Sequence, residues 1–180
     1  MRVKYPNIER INAMKVTSAQ ANKILSKLKD DLAYVLTKEV QSKVFNAAIG
    51  EDIEAVRPEY NYAETQTVIA DLNAKIRKIK HTINVFNTTT VIPELDITID
   101  EALVLIPQLS KKRNKLNEMK SRLPRTRVNG YRNANIIDYE ITNYDISAVE
   151  KDYESVVEQL SKLQTALDLV NGTVTFELDV

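Results

Sequence analysis

The sequence predicts a mainly α protein: an antiparallel bundle of about four long heptad-patterned helices with a small β element at one end. Apolar residues recur at alternating steps of three and four along two long segments, the spacing of a helix with one buried stripe. Capping residues and helix breakers bracket those segments. The chain of 180 residues is 43% hydrophobic and 28% charged, with 3 Gly and 5 Pro. That composition is globular rather than disordered or fibrous, and the length suffices for one buried core.

Residues 1–13 lack helical periodicity and are expected to be a flexible N-terminal extension ahead of Met14. Residues 14–180 are expected to be a single helical-bundle domain. The first helix, about Thr17 to Phe45, carries Ala21, Ile24, Leu25, Leu28, Leu32, Val35, Leu36, Val40 and Val44, a stripe as wide as a bundle face. The second, from Asn61 to Asn87, carries Tyr62, Thr65, Ile69, Leu72, Ile76, Ile79, Ile83 and Phe86. Asn61 and Glu64 have the spacing of a capping box. The third opens at the box Thr98-Ile-Asp-Glu101 and turns Ala102, Ile106, Leu109, Leu116, Met119 and Leu123 inward. Pro107 interrupts its hydrogen bonding, and Pro124 ends it. The fourth carries Ile146, Val149, Tyr153, Val156, Leu160, Leu163, Leu167 and Val170, with Ser147 and Glu150 as its box and Asn171-Gly172 as a left-handed stop. Short strands are expected near 88–97, 126–142 and 173–180, paired in one small sheet.

Several function classes have little material here. Zero Cys removes disulfides, thiolate metal sites and Cys nucleophiles, and one His (His81) leaves little for a His-rich metal site or a Ser-His-Asp triad. Three glycines form no phosphate-cradling loop. The acidic neighbours Asp30/Asp31, Glu51/Asp52 and Asp100/Glu101 diverge on a helix, so paired-carboxylate hydrolysis has no support. No catalytic residue, metal or cofactor is expected. The N-terminus has no apolar h-region, and no apolar run approaches the ~18 to 20 residues of a membrane span. A cytoplasmic protein with no membrane partner is the expectation.

Charge is uninformative in sum and informative in position. The 25 Lys plus Arg balance 25 Asp plus Glu, so no global field steers the chain toward a polyanion. Residues 111–132, however, hold nine basic side chains against Glu118 alone, 9 − 1 = +8, while residues 138–180 hold ten acids against Lys151 and Lys162, 2 − 10 = −8. Two readings stay open. The basic third helix pairs with the acidic fourth, across the seam or between subunits, which the equal size of the two blocks favours. Alternatively, Arg122, Arg125, Arg127 and Arg132 with Tyr131 contact phosphates of nucleic acid. A third set, Asn84, Asn87, Thr88, Tyr139 and Tyr144, is a candidate polar pocket for a small ligand.

The succession Asn84-Val-Phe-Asn87-Thr-Thr-Thr, Thr98-Ile-Asp-Glu-Ala-Leu103, Ile137-Asp-Tyr139, Tyr144-Asp-Ile146, Leu163-Gln-Thr-Ala-Leu-Asp168 and Asn171-Gly-Thr173 resembles the septicolysin-like family of small helical bacterial proteins. The likeness spans roughly Met14 to Glu177. It implies a bacterial helical protein, and it transfers no catalytic residue. The alternating stretches, about five to seven residues, fall short of the ~9 to 11 that a membrane strand needs, so pore formation is not expected. The resulting expectation is a non-enzymatic, self-associating assembly module and a homo-oligomer. Nucleic-acid binding through 111–132 is the alternative, and a ligand binder or enzyme at the Asn/Thr/Tyr-rich end is the third reading.

Overall fold

The computed structural model describes residues 13–128 and 138–179. Helices make up 68% of it, and every strand pairing is antiparallel and short, so the mainly α expectation holds. The chain divides into two compact units. Unit 1 is residues 1–89 and 170–180, and unit 2 is residues 90–169.

Unit 1 begins with β1 (Met14–Thr17) and α1 (Ser18–Ser42). Thr17 caps α1 with a full box: its hydroxyl accepts the Gln20 N–H at 3.3 Å, and the Gln20 side chain accepts the Thr17 N–H at 2.9 Å. After the short α2 (Ile53–Val56) comes α3 (Tyr62–Thr89). Asn61 caps it as expected, its side-chain oxygen accepting the Glu64 N–H at 3.2 Å. Ala21, Leu25, Leu28 and Val35 of α1 pack with Leu72, Ile79 and Ile83 of α3. The expected stripe of α1 is buried only in part. Among the described residues Leu36 and Val40 are exposed at 41% and 64%, and Val44, beyond the end of α1, at 73%. Tyr62, expected in the seam of α3, is also in solvent.

The tail pairs with a strand that the sequence conceals. β6 (Thr175–Leu178) runs antiparallel to β1, with Val16 opposite Phe176 and Met14 opposite Leu178. Alternation turns Val16 and Leu178 inward, at 4% and 0% exposure, and Phe176 stacks on Phe86 of α3 with ring centroids 4.5 Å apart.

Unit 2 opens with β2 (Val91–Ile92) and β3 (Ile97–Thr98), joined by a turn in which Glu94 and Asp96 have φ of 72° and 53°. α4 (Ile99–Lys120) starts at the expected Thr98–Glu101 box. It stops at Ser121 rather than Pro124, which leaves Leu123 66% exposed instead of in the core. β4 (Arg125–Val128) pairs with β5 (Asp138–Ile141), and α5 (Ile146–Thr173) follows, its last residues returning to unit 1. Leu116 of α4 packs with Val149 and Val156 of α5, flanked by Leu109, Met119, Tyr144 and Tyr153.

Three details differ from expectation. The described strands form three separate two-stranded sheets, not one sheet. The cap of α5 is Asp145, whose carboxylate accepts the Ser147 N–H at 2.9 Å, so Ser147 is already inside the helix. Asn171 and Gly172 are helical, and the N–H of Val174 still bonds the carbonyl of Val170 at 3.0 Å. An Asn-Gly pair permits a left-handed stop but does not force one. Among the described residues no helix is long and apolar enough to cross a membrane.

Candidate functional site

The basic segment occupies the second half of α4 and the β4–β5 hairpin, all within unit 2. Leu109, Leu116 and Met119 face the unit 2 core, and that orientation leaves Lys111, Lys112 and Lys115 in solvent. The hairpin is pinned to the end of α4. The Thr142 hydroxyl donates to the Leu123 carbonyl at 2.8 Å, the Thr142 N–H to the Pro124 carbonyl at 3.1 Å, and the Tyr144 hydroxyl to the Met119 carbonyl at 2.9 Å.

The hairpin register sets Arg125 opposite Ile141 and Arg127 opposite Tyr139, with Thr126 opposite Glu140 between them. Successive side chains alternate across a strand. One face therefore carries Arg125, Arg127, Tyr139 and Ile141, and the other carries Thr126, Val128, Asp138 and Glu140. All eight residues are exposed. The Arg125 guanidinium lies over the Tyr139 ring at 3.5 Å from its centroid. On the opposite face Arg122 binds Glu140 at 2.6 Å and Glu118 at 3.3 Å, beside an open cleft lined by Ser121, Leu123, Thr126 and Thr142. The hydrogen bond to Glu118 and then the charge of Glu140 raise the pKa of Arg122 further. Two carboxylates already occupy this guanidinium. Of the four arginines expected to contact phosphate, the hairpin brings Arg125 and Arg127 to one face and diverts Arg122 to the other. Arg132, like Tyr131, lies outside the described residues.

Pairing of the two charge blocks within one chain is mostly not realised. Among the described residues Arg122–Glu140 is the single ion pair that joins them. Among the described residues Lys111, Lys112, Arg113, Lys115, Lys120, Arg125 and Arg127 make no ion pair. Lys120 sits over the Tyr153 ring at 3.8 Å, and Arg113 donates to Asn114. On the acidic side Glu158 holds Lys162 of its own helix at 2.6 Å, which lowers the pKa of Glu158, and Asp179 holds Lys78 within unit 1 at 2.8 Å. Glu150, Asp152 and Glu154 make no ion pair among the described residues. α4 and α5 meet through apolar side chains, and these charged rows lie to the side of that contact.

The candidate polar pocket is divided. Asn84, Asn87 and Thr88 end α3 in unit 1, whereas Tyr139 and Tyr144 belong to unit 2. They do not form one pocket within either unit. The Thr88 hydroxyl is spent on the carbonyls of Asn84 and Val85, both at 3.0 Å, as expected at a helix end. The Asn87 side-chain oxygen is buried without a hydrogen-bond partner among the described residues. His81 is exposed, and among the described residues no group of three or more His, Asp or Glu is placed to hold a metal ion.

One polar arrangement has no sequence signal. Glu39 of α1 accepts the Tyr60 hydroxyl at 3.1 Å and the Gln66 side-chain amide at 2.7 Å, tying the 43–61 connection to both helices of unit 1. The cavity beside it, lined by Val35, Lys38, Ser42, Glu59 and Thr65, holds about 20 Å³. That is room for a water, far below the ~300 to 1,000 Å³ of a ligand pocket.

The chain matches no protein-family model and no curated protein. Its fold is similar to the crystal structure of a functionally unknown conserved protein from Corynebacterium diphtheriae, with a TM-score of 0.60 and 16% sequence identity over 91% of this chain and 99% of that one. At that identity the likeness shows the fold alone.

Proposed function

We propose that this protein is a cytoplasmic, non-enzymatic bacterial assembly module of the septicolysin-like kind that binds further copies of itself. One observation carries the reading. The two opposite charge blocks are both turned to solvent and, among the described residues, joined within the chain by Arg122–Glu140 alone. A chain with 25 positive and 25 negative side chains has no net repulsion between copies, so segregated blocks of opposite sign attract across a contact. Light scattering on a gel-filtration column at low salt tests this. Assembly is expected at high micromolar concentration, and a monomer throughout that range overturns the reading.

The Arg125–Tyr139 stack with Arg127 beside it favours a second reading, nucleic-acid binding by one face of the hairpin. Guanidinium and aromatic planes of this kind support stacked bases while cations follow the backbone. A binding titration against mixed DNA and RNA separates the two. Unmeasurable affinity at low salt removes the second reading, and Arg127→Ala is expected to weaken binding if it stands.

A further inference from the structure

The side faces of α4 and α5 carry the same spacing. On α4, Val104, Gln108, Lys111 and Lys115 follow one another at steps of four, three and four; on α5, Ser161, Val157, Glu154 and Glu150, read backwards, do the same. Steps of this kind keep side chains in one straight row along a helix. All eight are exposed, with Val104 at 56% and Val157 at 39%. The buried stripes of the same helices, Leu109 and Leu116 on α4 and Val149 and Val156 on α5, face the unit 2 core, so neither row is spent on it.

Each row also holds a like-charge pair at a separation of four, Lys111/Lys115 and Glu150/Glu154, with no ion pair among the described residues. Such pairs destabilise their own helix. At 1.5 Å rise per residue each pair spans about 6 Å, so two opposing rows bring both ion pairs together in one register.

Resting on the self-association reading, we infer that the α4 row of one copy docks antiparallel on the α5 row of another. Lys115 then meets the partner's Glu150, Lys111 the partner's Glu154, Gln108 the partner's Val157 and Val104 the partner's Ser161. Val104 and the partner's Val157 stand diagonally and form a small apolar centre. A parallel arrangement keeps both ion pairs but sets Glu118 against that valine, and the antiparallel one also lets the helix dipoles oppose. The contact joins two different surfaces. After binding one neighbour each copy keeps one free row, so the pair still presents one row of each sign, and assembly proceeds to rings or chains.

Charge reversal tests the contact on surface residues that the fold does not use. Lys111→Glu with Lys115→Glu makes both rows acidic, and Glu150→Lys with Glu154→Lys makes both basic. By analytical ultracentrifugation at about 50 mM salt each double variant is expected to be monomeric, while an equimolar mixture assembles like the wild type. Wild-type assemblies are expected to dissociate at about 0.5 M salt, where screening acts within a few ångströms. An assembling wild type whose double variants assemble equally well overturns this contact and leaves the self-association reading in place. A wild type that is monomeric at every concentration and salt overturns both. Double variants that are monomeric but do not assemble on mixing overturn the pairing of these two rows.

Discussion

Units 1 and 2 solve the same packing problem with different means. In unit 1, α1 and α3 share a continuous apolar seam that includes Val35, Leu72 and Ile79 at 0%, 1% and 0% exposure, and the β1–β6 ladder adds Leu178 at 0%. In unit 2, the cluster that joins α4 to α5 buries Leu116, Val149 and Val156 and completes its rim with the half-buried Tyr144, Tyr153 and Met119. Lys120 over Tyr153, Arg125 over Tyr139 and the Arg122–Glu140 pair supplement it with cations. Exposed ion pairs contribute only ~0 to 1 kcal/mol each, so these contacts add little to the burial of Ile92, Ile99, Ala102, Leu160, Leu163 and Leu167 elsewhere in unit 2. Unit 2 also keeps most of its charge available to a partner. The two units differ in the rim of the core, which is apolar in unit 1 and aromatic and cationic in unit 2.

Core truncation should expose this contrast most strongly. Leu72→Ala is expected to cost about 3 to 4 kcal/mol and Leu116→Ala about 2 kcal/mol, read from urea unfolding. Equal costs would break the comparison. Hydrogen exchange should show the loss confined to the unit that carries each change. Next come the caps, where Thr17→Ala in unit 1 and Thr98→Ala in unit 2 are each expected to cost about 1 kcal/mol. The Thr98 box adds a pH signature. Hydrogen bonds from the Thr98 N–H and hydroxyl hold the Glu101 pKa below its ordinary 4.5. A depressed carboxylate stabilises the fold above its unfolded value, and that contribution disappears as pH falls through the folded one. NMR titration of Glu101 is expected to give a midpoint below 4.5 in the wild type and a return toward 4.5 in Thr98→Ala.

A smaller effect of opposite sign is expected at the β2–β3 turn. The Leu95 N–H bonds the Ile92 carbonyl at 3.3 Å, and Glu94 occupies φ 72°, a position that suits glycine. Glu94→Gly should stabilise unit 2 by about 0.5 to 1 kcal/mol. Smallest of all is Val40→Lys on the open side of α1, which should change stability by no more than about 0.5 kcal/mol. A larger loss would mean that this face is covered.

The sequence was most legible where a local rule decides the outcome. The helices α3 and α5 and the Thr98–Glu101 box needed only neighbours three or four residues away, and each formed, although Tyr62 of the expected α3 stripe is exposed. Legibility failed where a distant partner decides. Met14–Thr17 is too short to announce a strand, and its partner at 175–178 lies at the far end of the sequence. Periodicity named Leu36, Val40 and Val44 as apolar but carried no information about whether anything covers them. The charge blocks were legible as composition, yet which cations stay unpaired depended on the orientation that the Leu109–Leu116 stripe imposes on α4. Asp145 displaced Ser147 as the cap because both residues suit that role, and spacing alone did not rank them.

The β1–β6 ladder also sets an order of events during synthesis. β1 is made before α1, whereas its partner emerges only after all of unit 2 has been translated. Until then Val16 and Phe86 lack the cover of Leu178 and Phe176. Unit 2 can therefore condense first, as an insertion held between two separated parts of an unfinished neighbour. On a ribosome the unit that is begun first is the later one to close.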